Sequence, residues 1–245
     1  MKNRFALLCL LALLFGSSCK KDNHNVSCQY TQLTYGSLSY SYQVNESGFL
    51  NRIVSANGSY LEYTLSGNIL TQQGFDSLGN ATGTPRSVTI NSLGNIAQLL
   101  SGSDTIFYDY NSDGRLTLIK TGINATGGKT EIIYDTQGDV TQMVRYNSSN
   151  VIDQITTYQS YSDKPNLTTV FNPLIMGEFP LMLYGRLGKG PAHLFKQSIS
   201  SHSGTTNIYN FYWEMDAYGN PVKMTVLTQP GNTLAEIQFT LHCSE

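Results

Sequence analysis

Past residue 30 the chain alternates with a period of two, and Asn/Asp/Gly turns interrupt it repeatedly. A period of two sends successive side chains to opposite faces of a strand. In Thr105–Tyr110, Ile106, Tyr108 and Tyr110 share one face. Asn111-Ser112-Asp113-Gly114 follows, and then Leu116-Thr117-Leu118-Ile119. Asn, Asp and Gly supply the positive φ and the side-chain bonds that a tight reversal needs. The segment is therefore predicted as a β-hairpin. The unit recurs. Glu131–Asp135 turns through Gly138 into Val140–Met143, and Val88–Asn91 through Gly94 into Ile96–Leu99. Tyr42–Asn45 turns through Gly48 into Leu50–Ile53, and Tyr63–Leu65 through Gly67 into Ile69–Leu70. Tyr212–Asp216 turns through Gly219 into Val222–Met224. Gly48, Gly67, Gly94, Gly114 and Gly138 are separated by 19, 27, 20 and 24 residues. A spacing of that kind marks a repeated supersecondary unit.

The underlying pattern is aromatic-x-Tyr-Asp/Asn-x-x-Gly-x-Leu, and it resembles the YD (RHS) repeat. Tyr108-Asp109-Tyr110-Asn111-Ser112-Asp113-Gly114-Arg115-Leu116 is the nearest copy, and Tyr134-Asp135-Thr136-Gln137-Gly138 the next. The resemblance spans residues 40–160 and 205–227. It is similar to the short YD-like lipoproteins of unknown function of the Bacteroidota, not to the giant RHS shells. It implies architecture and brings no catalytic residues. Six hairpins are too few to wrap a toxin, so encapsulation is not implied.

Only 13% of the residues are charged and 40% are hydrophobic, with a net charge of −2. Neutral polar residues, 22 Gly and 16 Tyr make up much of the rest. That excludes a coiled coil, a charged helical bundle and a charged disordered tail. The near-neutral balance argues against nucleic acid as a partner.

The N-terminus has its own logic. Lys2 and Arg4 precede an unbroken apolar run of 11 residues, Phe5–Phe15. As a helix the run spans about 16 Å, half of a bilayer core of about 30 Å. It is predicted as the signal peptide, residues 1–18. Gly16-Ser17-Ser18-Cys19 resembles a bacterial lipobox, which implies a lipid on Cys19. The alternative is an ordinary signal peptide cut nearby, with Cys19 a bystander. Two or more acyl chains anchor a protein stably. Residues 19–27 are polar and form a tether, followed by a β domain over 28–245. The expected location is the outer membrane, on its periplasmic or cell-surface side.

Cys9 leaves with the signal, which leaves Cys28 and Cys243 at the two ends of the domain. Export favours a disulfide between them; two unpaired thiols are the alternative. The absence of a CxxC pair argues against a structural zinc site.

From Lys164 to His193 the rhythm breaks. Four of the seven prolines (Pro165, Pro173, Pro180 and Pro191) lie here among apolar residues. A short helix over Leu181–Arg186 is expected after Pro180. The segment is predicted as an insertion that packs back on the sheet, as structural cover or as a mobile lid.

Candidate chemistry is sparse. Asp109-x-Asn111-x-Asp113-Gly114 matches half of a calcium loop, but Lys120 stands where the bidentate carboxylate belongs. It is expected to be a hairpin turn. His24, His193, His202 and His242 show no metal spacing, although His193 and His202 flank the end of the insertion and could meet. Gly185-Arg186-Leu187-Gly188-Lys189-Gly190 could hold an anion but lacks phosphate-loop spacing. Glu178, Glu214 and Asp216 are the carboxylates weighed for a glycan hydrolase. Tyr209, Phe211 and Trp213 share a strand face, as a buried strand or as a row for stacking sugars.

The expected fold is all-β, an antiparallel hairpin meander forming an open or partly closed barrel with one Pro-rich insertion. A long edge strand would point to strand addition. The expected function is a lipid-anchored, non-enzymatic binding module of the envelope, with no cofactor or metal. Its partners would be the membrane through the lipid and a glycan or envelope protein. The alternatives are a glycan-directed hydrolase and a structural spacer.

Overall fold

A computed structural model describes residues 27–44, 50–101, 104–122, 126–166 and 186–244. The side chains of residues 27–29, 101, 243 and 244 fall outside that description. The signal peptide, Cys19 and nearly all of the tether also lie outside it, as does the insertion between 167 and 185. The chain divides into two compact units: residues 1–29 with 242–245, and residues 30–241. The second unit is described here.

The first eight strands are β1 (Ser27–Tyr35), β2 (Leu38–Val44), β3 (Leu50–Ser55), β4 (Tyr60–Ser66), β5 (Ile69–Phe75), β6 (Ala81–Ile90), β7 (Ile96–Ser101) and β8 (Asp104–Tyr110). The second eight are β9 (Leu116–Thr121), β10 (Lys129–Tyr134), β11 (Val140–Tyr146), β12 (Ile152–Pro165), β13 (His193–His202), β14 (Thr205–Met215), β15 (Pro221–Thr228) and β16 (Thr233–Ser244). Each strand lies beside the next in chain order, and β1 lies beside β16, so the meander closes into a barrel. The expected all-β barrel of antiparallel hairpins is what the structure shows, with its strand order closed. At the seam Thr31 Oγ1 donates to the Thr240 carbonyl at 3.4 Å. The Tyr30 and Phe239 rings meet there at 5.3 Å.

Register explains the alternation. Leu70, Val88, Leu99 and Ile106 face one another across β5, β6, β7 and β8. Phe211, Val226 and Ala235 do the same across β14, β15 and β16, as do Trp213, Met224 and Ile237. All belong to the single apolar core or pack against it. The opposite face is mixed. One of its rows runs Asp109, Leu118, Glu131, Val144, Ile155, Ser201. Ion pairs lie across it: Arg52–Glu62 at 2.7 Å, Lys120–Asp109 at 2.8 Å and Lys129–Glu131 at 2.7 Å.

One turn is used repeatedly. In Asp135–Asp139 the Asp135 N–H donates to the Asp139 carbonyl, and Gly138 N–H donates back to the Asp135 carbonyl. Asp135 Oδ1 accepts from the N–H groups of Gln137 and Asp139, each at 2.9 Å. Gly138 takes a φ of 88°, where a Cβ would be strained. The same bonds form at Asp76, Asn91, Asn111, Asn147 and Asp216. At Asn147 the left-handed residue is Asn150, with a φ of 58°. A register shift follows, so that Tyr110 pairs with Leu116 and Tyr134 with Val140. The tyrosines then turn inward. Tyr110 donates to the Ile96 carbonyl at 2.8 Å, and Tyr134 to the Leu116 carbonyl at 2.9 Å. Each tyrosine therefore ties its hairpin to the strand that leaves the preceding turn.

Candidate functional site

Because the strands run up and down, the turns at Asn91, Asn111 and Asp135 stand at the same end of the barrel. Residues 186–193, the returning end of the insertion, cross all three. Ile96 N–H donates to the Arg186 carbonyl at 2.7 Å, and Arg186 Nη1 to the Gly94 carbonyl at 3.0 Å. Lys189 N–H donates to the Gly114 carbonyl at 2.9 Å, and Arg115 Nη1 to the Gly190 carbonyl. Ala192 N–H reaches the Gly138 carbonyl at 3.1 Å. Leu187, Leu194 and Phe195 are buried beneath this path. Asn166 closes the insertion at its base, with its N–H on the Ala192 carbonyl at 2.8 Å and Nδ2 on the Pro191 carbonyl at 3.1 Å. The described part of the insertion is thus cover over the turns. Arg186, expected in a short helix, lies in a turn. Burial pulls its guanidinium below the ordinary value. Because a donor is spent on Gly94, Arg186 offers less to an anion.

The brace ends at a cleft. Pairing between β11 and β12 stops at Gln142–Thr157. Above it the strands part, and β12 continues upward on β13 alone. The opening has a volume of about 550 Å³ and lies between the Asp135–Thr141 side and the Tyr158–Ser162 side, with His193 against it. Asp139 is the pivot. Its Oδ1 accepts the His193 N–H at 2.7 Å, and its Oδ2 sits 2.7 Å from His193 Nδ1. The carboxylate calls for a proton on Nδ1, which leaves Nε2 as the outward group. The His193 side chain is 27% exposed and that of Asp139 12%. Tyr158 packs its ring on Phe195 at 4.8 Å and is pushed well above the ordinary tyrosine value by burial. Tyr161 donates to the Phe211 carbonyl at 3.0 Å. Among the described residues, Ser160 Oγ is the buried side-chain polar atom with no hydrogen-bond partner.

Apart from His193, the residues singled out in the sequence fall elsewhere. Trp213 is 6% exposed, and its Nε1 donates to the Phe195 carbonyl at 2.8 Å. Phe211 is buried beside it and Tyr209 packs against the same core, so the row lies in the barrel interior. His193 and His202 stand at opposite ends of β13 and do not meet. His202 bonds the Asp153 carbonyl at 2.7 Å. Glu214 faces Lys223 at 3.3 Å on the outer surface, and Asp216 closes its turn. Glu178 lies outside the described residues. Asp109 pairs with Lys120, and Asn111 Oδ1 is taken by the N–H groups of Asp113 and Arg115. Cys28 lies on β1 and Cys243 on β16, with their side chains outside the description. The Asp139–His193 pair was missed because its partners are 54 residues apart. Its one sequence signal was a histidine at the end of the insertion.

The fold and cleft define a sixteen-stranded antiparallel barrel closed in chain order. Two crystal structures are similar to it in fold. One is a porin-like protein from Bacteroides uniformis, with a TM-score of 0.62 and 14% identity over 87% of this chain and 96% of that one. The other is a porin-like protein from Bacteroides vulgatus, with a TM-score of 0.58 and 14% identity over 86% and 98%. A chain of TcdB2-TccC3-Cdc42 aligns at a TM-score of only 0.34, over 10% of its own length. No family model matches the chain, and no curated protein sequence does.

Proposed function

We propose that the protein is a lipid-anchored, non-enzymatic binding module of the bacterial envelope, held at the membrane by Cys19 with its barrel outside the bilayer. The observation that carries this is the outer face. Strands that span a membrane turn an apolar band to the lipid, and a Lys or Arg in that band costs about 2–4 kcal/mol at the midplane. Here Arg52, Lys120, Lys129 and Lys223 lie on the outer face, each beside a carboxylate. Four of the strands are also short. β3, β7, β9 and β10 have 6 residues each. That is about 20 Å untilted at ~3.4 Å per residue, against a hydrocarbon core of about 30 Å. The porin-like neighbours support the envelope setting by fold, and the signal and lipobox residues of the sequence support the anchor.

The test is labelled palmitate with membrane fractionation. The wild-type chain takes up label and sediments with membranes. Cys19→Ala loses the label and moves to the soluble fraction. Unlabelled wild type would overturn the anchor. A variant that stays in membranes through alkaline extraction would overturn the placement of the barrel.

A further inference from the structure

The cleft above Gln142 and Thr157 has walls made for hydrogen bonding. Its volume of about 550 Å³ falls within the usual range for small-molecule sites. No Lys or Arg is among its lining residues, so a phosphate or carboxylate ligand would meet no cationic partner. Three of the four carboxylate oxygens are already bonded within the protein. Asp135 Oδ1 holds the N–H groups of its own turn, and Asp139 holds His193 with both oxygens. The neutral groups beside them are the amides of Gln137 and Gln159 and the hydroxyls of Ser160 and Ser162, which both give and take hydrogen bonds, and His193 Nε2, which accepts while Nδ1 holds the proton. Ser160 adds an independent sign. A buried hydroxyl without a partner costs stability and is uncommon in folded proteins. It sits on the wall of this cleft.

We propose that the cleft binds a neutral carbohydrate, its hydroxyls bonded by Gln137, Gln159, Ser160 and His193. Vicinal hydroxyls donate and accept at each position, as the Gln amides and the Ser hydroxyl do, and can donate to His193 Nε2. Asp139 is a positioning residue: it holds the ring of His193 so that Nε2 faces the ligand. The proposal rests on the reading of the protein as a binding module and names the ligand class of that module.

The test uses the full-length chain in detergent, titrated with glucose, galactose, mannose, maltose, cellobiose and lactose, with inorganic phosphate as the control. Binding is followed by saturation-transfer NMR and calorimetry. At least one sugar binds and phosphate does not. Gln137→Ala and Gln159→Ala change exposed side chains and leave the fold intact, yet each weakens binding about tenfold. Ser160→Ala raises the melting temperature of the free chain and still weakens the sugar. The proposal is overturned if no sugar of the panel binds, if phosphate binds instead, or if the three variants bind as wild type does. Cleavage of a bound sugar would leave the site standing and overturn the non-enzymatic reading. Loss of palmitate labelling bears on the anchor alone.

Discussion

At the scale of single residues, the Asx side chain at the head of each turn does the most work for its size. Asp216 accepts from Tyr218 N–H at 2.9 Å and from Asn220 N–H at 2.8 Å through one oxygen. Its other oxygen takes Asn220 Nδ2 at 3.1 Å. Burial pushes its carboxyl up, but the bonds from Asn220, Tyr218 and Gly219 outweigh it and hold the group below the usual aspartate value. A depressed carboxylate stabilises the fold above the unfolded value and loses that contribution as pH falls through the folded one. Asn fills the same position at Asn91, Asn111 and Asn147, so the geometry needs the oxygen and not the charge. Asp216→Ala is therefore expected to cost about 1 kcal/mol at neutral pH. Asp216→Asn keeps the turn bonds and makes stability less sensitive to acid. Chemical denaturation of both variants at pH 7 and below pH 4 checks the pair.

At the scale of elements, hairpins are joined by tyrosines. Tyr134 links β10 to the first residue of β9 through the Leu116 carbonyl, and Leu116 is fully buried. Burial pushes Tyr134 up to about 12, against a smaller pull from Arg115. A tyrosine raised in the folded state supports stability below its unfolded value near 10, and the support is lost as pH rises toward 12. Tyr134→Phe leaves a buried carbonyl without its donor and should cost about 1–2 kcal/mol. It should also reduce the loss of stability between pH 10 and 12, read by thermal melts across that range. Most hairpins were legible at this scale. Tyr63–Leu65 and Ile69–Leu70 pair around Gly67 as the alternation required. The turn at Asp76 was overlooked although Asp76-Ser77-Leu78-Gly79-Asn80 carries the full pattern. It lies after Phe75, at the opposite end of the barrel from the YD-like turns. Asn147 was harder, because Asn150 replaces the glycine. The brace at 186–193 and the Asp139–His193 pair depend on contacts across the end of the barrel. No local spacing encodes those contacts.

At the scale of the whole molecule, one distribution governs the account. The barrel keeps its apolar rows inside, including Trp213, Phe211 and Phe195, and puts ion pairs and mixed rows outside. The low charge of the chain follows from that arrangement, because an inward face needs none and the turns are built from Asn, Asp and Gly. Of the two readings of the aromatic row, buried strand or stacking surface, the structure shows the buried strand. The most direct measurement of this inside-out distribution is detergent-free folding. A chain lacking residues 1–19 is predicted to fold in plain buffer, with β-sheet circular dichroism and a cooperative melt. A chain that aggregates in buffer and folds only in micelles would contradict the account.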